Sequence, residues 1–174
     1  MGRPKALLEY EGETFLGRLQ RIFLKHTDPV VIVLGHDAGN LRWLLDPRVR
    51  QALNSDPERG MLSSLQAGLA EISTAERILF LPLDYPAIRP ETIEKLCAMP
   101  LADVAMPRYQ GRRGHPVLIS QRVARQLLTL PATAAARDVI RSYNDTVLYV
   151  DVDDPGILMD VDTPEDYQRL VARP

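Results

Sequence analysis

The residue best placed to do chemistry is Asp84, which follows an apolar segment at residues 78–83. This segment shows no polar alternation, a pattern typical of a strand covered on both faces in a parallel sheet. Ligands of open α/β sheets bind at the carboxyl ends of the strands, so Asp84 is a candidate metal ligand. The alternative is that Asp84 caps the following helix or fixes a turn.

A second acidic group lies near the end of the chain, at Asp160 and Asp162. If this segment is extended, both carboxylates point to the same side, and either could bind a metal together with Asp84. Acidic residues are also expected at the start of the helix predicted from residue 163. There Asp162 or Thr163 is a suitable N-cap.

Three other groups of residues could bind anions or a nucleotide. Arg3 and Lys5 bracket a stiffening proline and suit a polyphosphate, or they belong to a solvated chain end. Gly60, Met61 and Ser64 form a helix entrance, where N–H groups and hydroxyls bind a ligand or simply cap the helix.

The third group is Arg113 and His115, in a glycine-rich loop that could meet an anionic substrate or form a solvated hairpin turn. His115 could also act as a general base. No serine or cysteine lies in a recognisable nucleophile elbow, so the sequence gives no support for a hydrolytic triad.

The elements that must position these residues alternate between strands and helices. This alternation predicts an α/β fold, with helices on both faces of a mostly parallel sheet. The strands are predicted at residues 29–34, 49–54, 77–83, 103–106, 116–120 and 146–152. The helices are predicted at residues 15–26, 37–45, 61–72, from 90 onward, 121–130, 133–143 and 163–171.

The composition narrows the class of protein. A chain of 174 residues is expected to form one domain, spanning residues 1–174. Its net charge of -2 gives no electrostatic case for nucleic acid or an anionic membrane as a partner. No apolar run has the length of a membrane span, and no signal-peptide pattern is present. The single cysteine, Cys97, excludes an internal disulfide, and a cytoplasmic location is expected.

Taken in order, five motifs resemble the MobA-like NTP transferase family, particularly its molybdenum cofactor cytidylyltransferase type. The resemblance covers nearly the whole chain and is carried by residues 1–5, 60–65, 81–86, 111–116 and 160–166. It implies a three-layer α/β/α sandwich with a Rossmann-like sheet. The implied reaction is Mg²⁺-dependent transfer of NMP, with CTP the expected donor, to a phosphate-bearing acceptor such as molybdopterin cofactor, with release of pyrophosphate.

The resemblance also implies residue roles. Asp84 and Asp162 match the metal-binding positions, and Lys5, with Arg3 beside it, matches the cation that offsets the triphosphate. The helix entrance at Gly60, Met61 and Ser64 matches the segment lining the nucleobase. Arg113 and His115 match the acceptor side, and a molybdoenzyme or chaperone is a further expected partner. Alternatives are transfer of GMP, nucleotidyl transfer to a sugar phosphate, or a non-catalytic protein that binds a nucleotide or cofactor.

The chain departs from the family pattern in two places. Family members begin with a strand and a glycine-rich loop ahead of the motif at residues 1–5. We expect the true start to lie upstream; a trimmed chain and a shortened, inactive relative are the alternatives. Without that strand, the open centre of the sheet is expected to lower stability or to invite pairing with another strand. Tyr85, where the family more often has Gln or Met, is expected to change the acceptor pocket.

Overall fold

The strands form three separate hydrogen-bonded groups in the computed structural model, which describes residues 4–36, 38–131 and 133–172. The strands are β1 (Glu9–Tyr10), β2 (Glu13–Thr14), β3 (Val31–Leu34), β4 (Arg50–Leu53), β5 (Arg77–Phe80), β6 (Val104–Tyr109), β7 (Arg112–Arg113), β8 (Val117–Ser120) and β9 (Leu148–Asp151). The α-helices are α1 (Phe15–His26), α2 (Ala38–Leu41), α3 (Met61–Glu71), α4 (Pro90–Cys97), α5 (Gln121–Leu128), α6 (Ala136–Ser142) and α7 (Pro164–Val171). Short 3₁₀ turns lie at Lys5–Leu7, Arg42–Leu44, Pro57–Arg59, Asn144–Thr146 and Pro155–Leu158.

The largest sheet has mixed pairing. β8 lies between β5 and β6 and runs antiparallel to both, β7 forms a hairpin with β6, and β9 is parallel to β6. Elsewhere β1 and β2 form a hairpin, and β3 pairs in parallel with β4. The predicted α/β class is confirmed, but the sheet is less parallel than the alternation of elements indicated. The reason is the β6–β7 hairpin, which reverses the chain so that β8 returns along β6 without a helical crossover.

Successive residues of the large sheet face two different helical layers. Ile78, Val104 and Ile119 pack with α3 and α5 through Leu69 and Leu127. Their neighbours in sequence point the other way, so that Leu79, Ala105 and Leu118 pack with Leu96 of α4. Since side chains alternate across a strand, a sheet buried on both faces is apolar without interruption. The expected three-layer α/β/α arrangement is therefore confirmed.

Helix α1 adds to the layer formed by α4. Its N-cap is Thr14, whose hydroxyl accepts a hydrogen bond from the Gly17 N–H at 3.0 Å. Leu19 and Ile22 recur at helical spacing and pack with Ile93 of α4. None of the helices in the described ranges is long and apolar enough to cross a membrane.

A cavity of about 790 Å³ separates the β3–β4 pair from the large sheet. Its lining includes all of β3 and all of β5, and α1 and α3 contribute apolar side chains such as Leu19 and Leu65. Within the described residues, β3 and β5 belong to different sheets and are not paired with each other.

The buried carboxylate of Asp154 joins the start of α4 to the 3₁₀ turn at Pro155–Leu158. It is 2% exposed and accepts hydrogen bonds from the Arg89 N–H at 2.9 Å, the Thr92 hydroxyl at 2.7 Å and the Gly156 N–H at 2.9 Å.

Asp154→Ala would leave all three donors unpaired. We expect it to lower the free energy of unfolding in urea by about 3 kcal/mol. Asp153→Ala, at the exposed neighbouring position, is the control and is expected to change stability little. An equal loss in both variants would contradict this role.

Candidate functional site

Asp84 lies four residues after the end of β5, on the segment that connects β5 to α4. Its backbone carbonyl accepts a hydrogen bond from the Val161 N–H at 2.9 Å, which ties it to the acidic segment near the end of the chain. Its side-chain Oδ1 is buried and has no hydrogen-bond partner among the described residues. Burial raises the pKa of Asp84, the nearby Lys5 charge lowers it, and Asp162 raises it again. A buried carboxylate oxygen without a donor is suited to bind a cation.

Asp162 is exposed and forms an ion pair with Lys5, with Nζ and Oδ1 2.6 Å apart. The N-cap of α7 is Thr163, not Asp162, because the Thr163 hydroxyl accepts the Asp166 N–H while Asp166 accepts the Thr163 N–H. This capping box leaves the Asp162 carboxylate free of the capping role that the sequence also allowed. The Asp162 carboxylate is therefore paired with Lys5 and does not cap the helix.

Asp84 and Asp162 are the carboxylates that could hold a metal ion, with Asp160 close enough to raise the pKa of Asp84. In the part of the chain that the structure describes, no group of three or more His, Cys, Asp or Glu side chains has the geometry of a metal site. Mg²⁺ and similar cations often take only one or two protein carboxylates and complete their coordination with water and substrate phosphates. The donor set fits a divalent cation that binds together with a phosphorylated substrate.

The entrance of α3 shares a cavity with Lys5, because Lys5, Met61 and Ser64 all contribute to its lining. Gly60 precedes the helix with φ +81°, a conformation that favours glycine. Met61 is 58% exposed, although it is a large apolar residue. An apolar surface beside backbone N–H groups at a helix start is suited to bind a planar ring next to a phosphate.

Asn54, which the sequence did not single out, and Ser63 hold this entrance in place. The Asn54 amide donates to the Ser63 hydroxyl at 2.8 Å and to the Ser64 hydroxyl at 3.0 Å. Ser63 in turn donates to the Gly60 carbonyl at 2.8 Å. Asn54 and Ser63 are both buried. Asn54 could have been identified from the sequence as a polar residue directly after β4, at the carboxyl end of a strand.

His115 packs on Tyr85, the residue after Asp84, with ring centroids 4.6 Å apart. The backbone N–H of His115 donates to the Ile157 carbonyl at 3.0 Å. The imidazole Nδ1 of His115 is buried and has no hydrogen-bond partner among the described residues. Burial lowers the pKa of His115, although the Asp160 charge raises it. Burial and the nearby carboxylates raise the pKa of Tyr85 to about 12. These shifts favour the neutral forms of the imidazole and the phenol, and Tyr85 lies near Asp84.

The structure brings Lys5, Asp84 and Asp162 together, and His115 packs on Tyr85 next to them. It does not bring Arg113 there, since this exposed guanidinium donates to the Asn144 side chain at 2.9 Å. Arg3 lies outside the described residues. The acceptor role of Arg113 and the nucleotide role of Arg3 stay predictions.

Comparison with known proteins gives one family for most of the chain. The family described as MobA-like NTP transferase domain matches residues 1–147. The chain is similar to the molybdenum cofactor cytidylyltransferase of Escherichia coli (strain K12), with 24% identity over 96% of the chain and 86% of that protein. It is also similar to the nicotine blue oxidoreductase of Paenarthrobacter nicotinovorans, with 32% identity over 98% of the chain and 90% of that protein.

Solved structures agree in fold. The chain superposes on Rv0371c from Mycobacterium tuberculosis H37Rv with a TM-score of 0.84 and 26% identity, covering 100% of this chain and 92% of that one. A second structure of Rv0371c, in complex with manganese, superposes with a TM-score of 0.79 and 26% identity, covering 97% of this chain and 91% of that one. The similarity thus extends over nearly the whole length of each protein.

Proposed function

The chain belongs to the MobA-like NTP transferase family of nucleotidyltransferases, and from this premise we propose that it transfers CMP from CTP to a phosphate-bearing acceptor, such as molybdopterin cofactor. The proposed metal is Mg²⁺, held by Asp84 and Asp162. The observation that carries the proposal is the buried, unpartnered Asp84 Oδ1 beside the Lys5–Asp162 ion pair. One cation and two carboxylates close together suit a metal-bound triphosphate better than a neutral ligand.

In the proposed reaction an acceptor oxygen attacks the α-phosphorus of the nucleotide. A bond forms between that oxygen and phosphorus, the bond to the bridging oxygen breaks, and its electron pair leaves with pyrophosphate. A divalent cation held by Asp84 and Asp162 would neutralise part of the phosphate charge. Lys5, which pairs with Asp162, is proposed to turn its ammonium to the triphosphate and offset the charge that develops on the leaving group.

The protein's remaining task is to position the two substrates. Met61 and the Ser64 hydroxyl, held by Asn54, are proposed to contact the nucleobase. Neutral His115 and Tyr85 are proposed to line the acceptor side, with Arg113 further away on the same loop. A phosphate oxygen is already a competent nucleophile near neutral pH, so this acceptor class needs no strong general base.

The assignment of CMP as the transferred group rests on the E. coli relative. Transfer of GMP, or transfer to a sugar phosphate, would use the same proposed group of Lys5, Asp84 and Asp162. The oxidoreductase name of the relative from P. nicotinovorans makes redox chemistry the second candidate. The Asp84 and Lys5 cluster favours phosphoryl chemistry, because hydride transfer does not require paired carboxylates and a cation.

The test is pyrophosphate release by the full chain with each of the four NTPs, Mg²⁺ or Mn²⁺, and molybdopterin cofactor or a sugar phosphate as acceptor. We expect release with CTP, dependent on the metal and on the acceptor. Release with GTP alone would replace CMP by GMP. NTP binding without release under any condition would support the non-catalytic alternative. Oxidation of NAD(P)H coupled to reduction of an added quinonoid dye in a parallel assay, without pyrophosphate release, would support the redox candidate.

Replacement of Lys5 should change metal and nucleotide binding in opposite directions. Lys5→Met removes the cation that pairs with Asp162, so affinity for Mn²⁺ alone should rise about two- to fivefold. It also removes a charged hydrogen-bond donor to the triphosphate, so KM for the nucleotide should rise at least about tenfold. Calorimetry measures the first change and initial rates measure the second. Lys25→Met, at an exposed position at the end of α1, is the matched control. A parallel loss of both affinities would contradict the proposed double role.

A further inference from the structure

Two segments that carry the candidate metal ligands run side by side in opposite directions. One is residues 84–89, which begins at Asp84, and the other is residues 154–161, which leads directly to Asp162. Three contacts join the segments, and each involves a backbone atom of residues 84–89. They pair Asp84 with Val161, Ala87 with Gly156, and Arg89 with Asp154. Because positions rise along one segment as they fall along the other, the two segments are antiparallel and have a defined register.

This register decides which side chains lie beside Asp84. Asp160 and Asp162 are exposed, whereas Val161 between them is 1% exposed. The alternation is typical of an extended chain with one buried side. A shift by one residue would turn both carboxylates inward and Val161 outward. The carboxylate that Asp162 presents near Asp84 would then be lost.

The strongest tie between the segments is the Asp154 carboxylate. The Val161 N–H donates a single hydrogen bond across the segments, and a typical hydrogen bond shifts an equilibrium only about fivefold. Asp154 is 2% exposed and binds both segments, because it accepts the Arg89 N–H and the Gly156 N–H, each at 2.9 Å. The Thr92 hydroxyl adds a third hydrogen bond at 2.7 Å. Hydrogen bonds to a charged acceptor are stronger than neutral ones, so Asp154 holds the register more firmly than Val161 does.

Gly156 makes a second tie through close contact between backbones. A Cβ at this position would overlap the Ala87 carbonyl oxygen and lie 2.5 Å from the carbonyl carbon. The next residue, Ile157, accepts the backbone N–H of His115 at 3.0 Å, and its carbonyl lies directly against Gly114. The turn is therefore held against two other backbones and cannot slide along either of them.

Residues 84–89 are fixed independently of this turn. The buried Arg18 guanidinium, from α1, donates through Nε to the Pro86 carbonyl at 2.8 Å. Ile88 is 0% exposed and packs with Ile93 of α4. A change in register would thus require movement of residues 154–161, and Asp154 and Gly156 oppose that movement.

We propose that Asp154 and Gly156 are positioning residues for the metal-binding pair: they fix the register of residues 154–161 and so keep Asp162 beside Asp84. This inference rests on the metal site of the proposed function. Neither residue contacts the metal or a substrate in this scheme, and each acts through the backbone that leads to Asp162. A purely structural role would change stability alone, whereas a positioning role also changes the metal affinity of the folded chain.

The test is the Mn²⁺ affinity of the full chain, measured without denaturant by electron paramagnetic resonance of the free ion. Asp154→Asn preserves the shape of the side chain but replaces one acceptor oxygen by an amide donor, so it cannot accept from both segments. We expect the affinity to fall about tenfold. Gly156→Ala should lower it at least as much, because the methyl group displaces the turn from Ala87. Thr92→Val removes one donor, keeps the shape of a side chain remote from the metal, and should lower the affinity about two- to threefold.

The control is Leu127→Ala in α5. Leu127 is 0% exposed and packs in a separate apolar cluster, so its removal destabilises the fold strongly. It should leave the Mn²⁺ affinity of the folded chain unchanged, and circular dichroism verifies that each variant is folded. A loss of Mn²⁺ affinity in Leu127→Ala equal to that in Asp154→Asn would overturn the positioning role.

A double-mutant cycle distinguishes positioning from a general loss of structure. Asp162→Asn leaves no second carboxylate to position, so the addition of Asp154→Asn should change its Mn²⁺ affinity less than about twofold. An equal tenfold loss in both backgrounds would overturn the inference. Reduced affinity in Asp84→Asn together with parent-like affinity in Asp154→Asn and Thr92→Val would overturn it and leave the proposed metal site intact. Unchanged affinity in Asp84→Asn would overturn both.

Discussion

Asp84→Asn is expected to reduce nucleotidyl transfer by about 10²–10³-fold and Mn²⁺ affinity by about 10–100-fold. The amide that replaces the carboxylate carries no charge and provides one oxygen in place of two. The buried Oδ1, which has no partner among the described groups, is the oxygen best placed to bind a cation. Calorimetric titration with Mn²⁺ and pyrophosphate release measure the two effects.

The same substitution should not destabilise the protein, which distinguishes loss of metal binding from misfolding. Burial raises the pKa of Asp84 above its ordinary value of 3.8 in the folded state. An ionised Asp84 therefore opposes folding above pH 3.8, and this opposition disappears as pH falls below that value. At neutral pH, Asp84→Asn should unfold at the same or a higher urea concentration than the parent chain.

The companion variants separate the acidic residues from one another. Asp162→Asn should also reduce transfer, and Asp160→Asn decides whether the neighbouring carboxylate is the second ligand instead. Asp153→Asn, at an exposed position on the preceding turn, is the control and should behave as the parent chain. Unchanged metal binding and turnover in Asp84→Asn and Asp162→Asn together would exclude the paired metal site.

Gly114→Ala is expected to lower the free energy of unfolding by about 4 kcal/mol or more. A Cβ at this position would overlap the Ile157 carbonyl oxygen and lie 2.8 Å from its carbonyl carbon. Both obstacles are backbone atoms, so a side-chain movement cannot relieve them. The Gly114 N–H also donates to the Pro107 carbonyl at 3.1 Å, which holds the glycine close to β6. Urea unfolding measures the loss.

The effect of Gly114→Ala should extend to the candidate functional site, because the same Ile157 carbonyl accepts the His115 N–H. Displacement of Ile157 would move His115 away from Tyr85. Gly39→Ala is the control, since a Cβ there meets nothing within 4 Å. In helix α2 the extra methyl group should leave stability unchanged or raise it by up to about 1 kcal/mol. Parent-like stability in Gly114→Ala would show that the backbone at Ile157 moves without cost.

Much of the local structure could be predicted from the sequence. The apolar periodicity of α1 and the unbroken apolar run of β3 are local signals, and both elements formed at nearly the predicted bounds. The predicted strand at residues 77–83 ends at Phe80, because Pro82 lacks the N–H that a strand needs. The predicted helix at residues 37–45 became α2 and a 3₁₀ turn, with Asp37 outside the described residues.

The sequence by itself determined which residue types stand at the ends of the elements. Asp84 after a buried strand, Lys5 ahead of the first helix and Asp162 before the last one could each be identified from position and charge. Their chemistry is a property of the individual side chain, and the order of the motifs indicated the family.

Only the tertiary structure decided how these residues are used. It placed Lys5 against Asp162, assigned the helix cap to Thr163, held Ser64 through Asn54, and directed Arg113 to Asn144. It also inserted β8 antiparallel beside β5 and left β3 and β5 in different sheets. The physical reason is that periodicity records which faces of an element are buried, whereas hydrogen-bond partners and strand neighbours depend on residues distant in sequence.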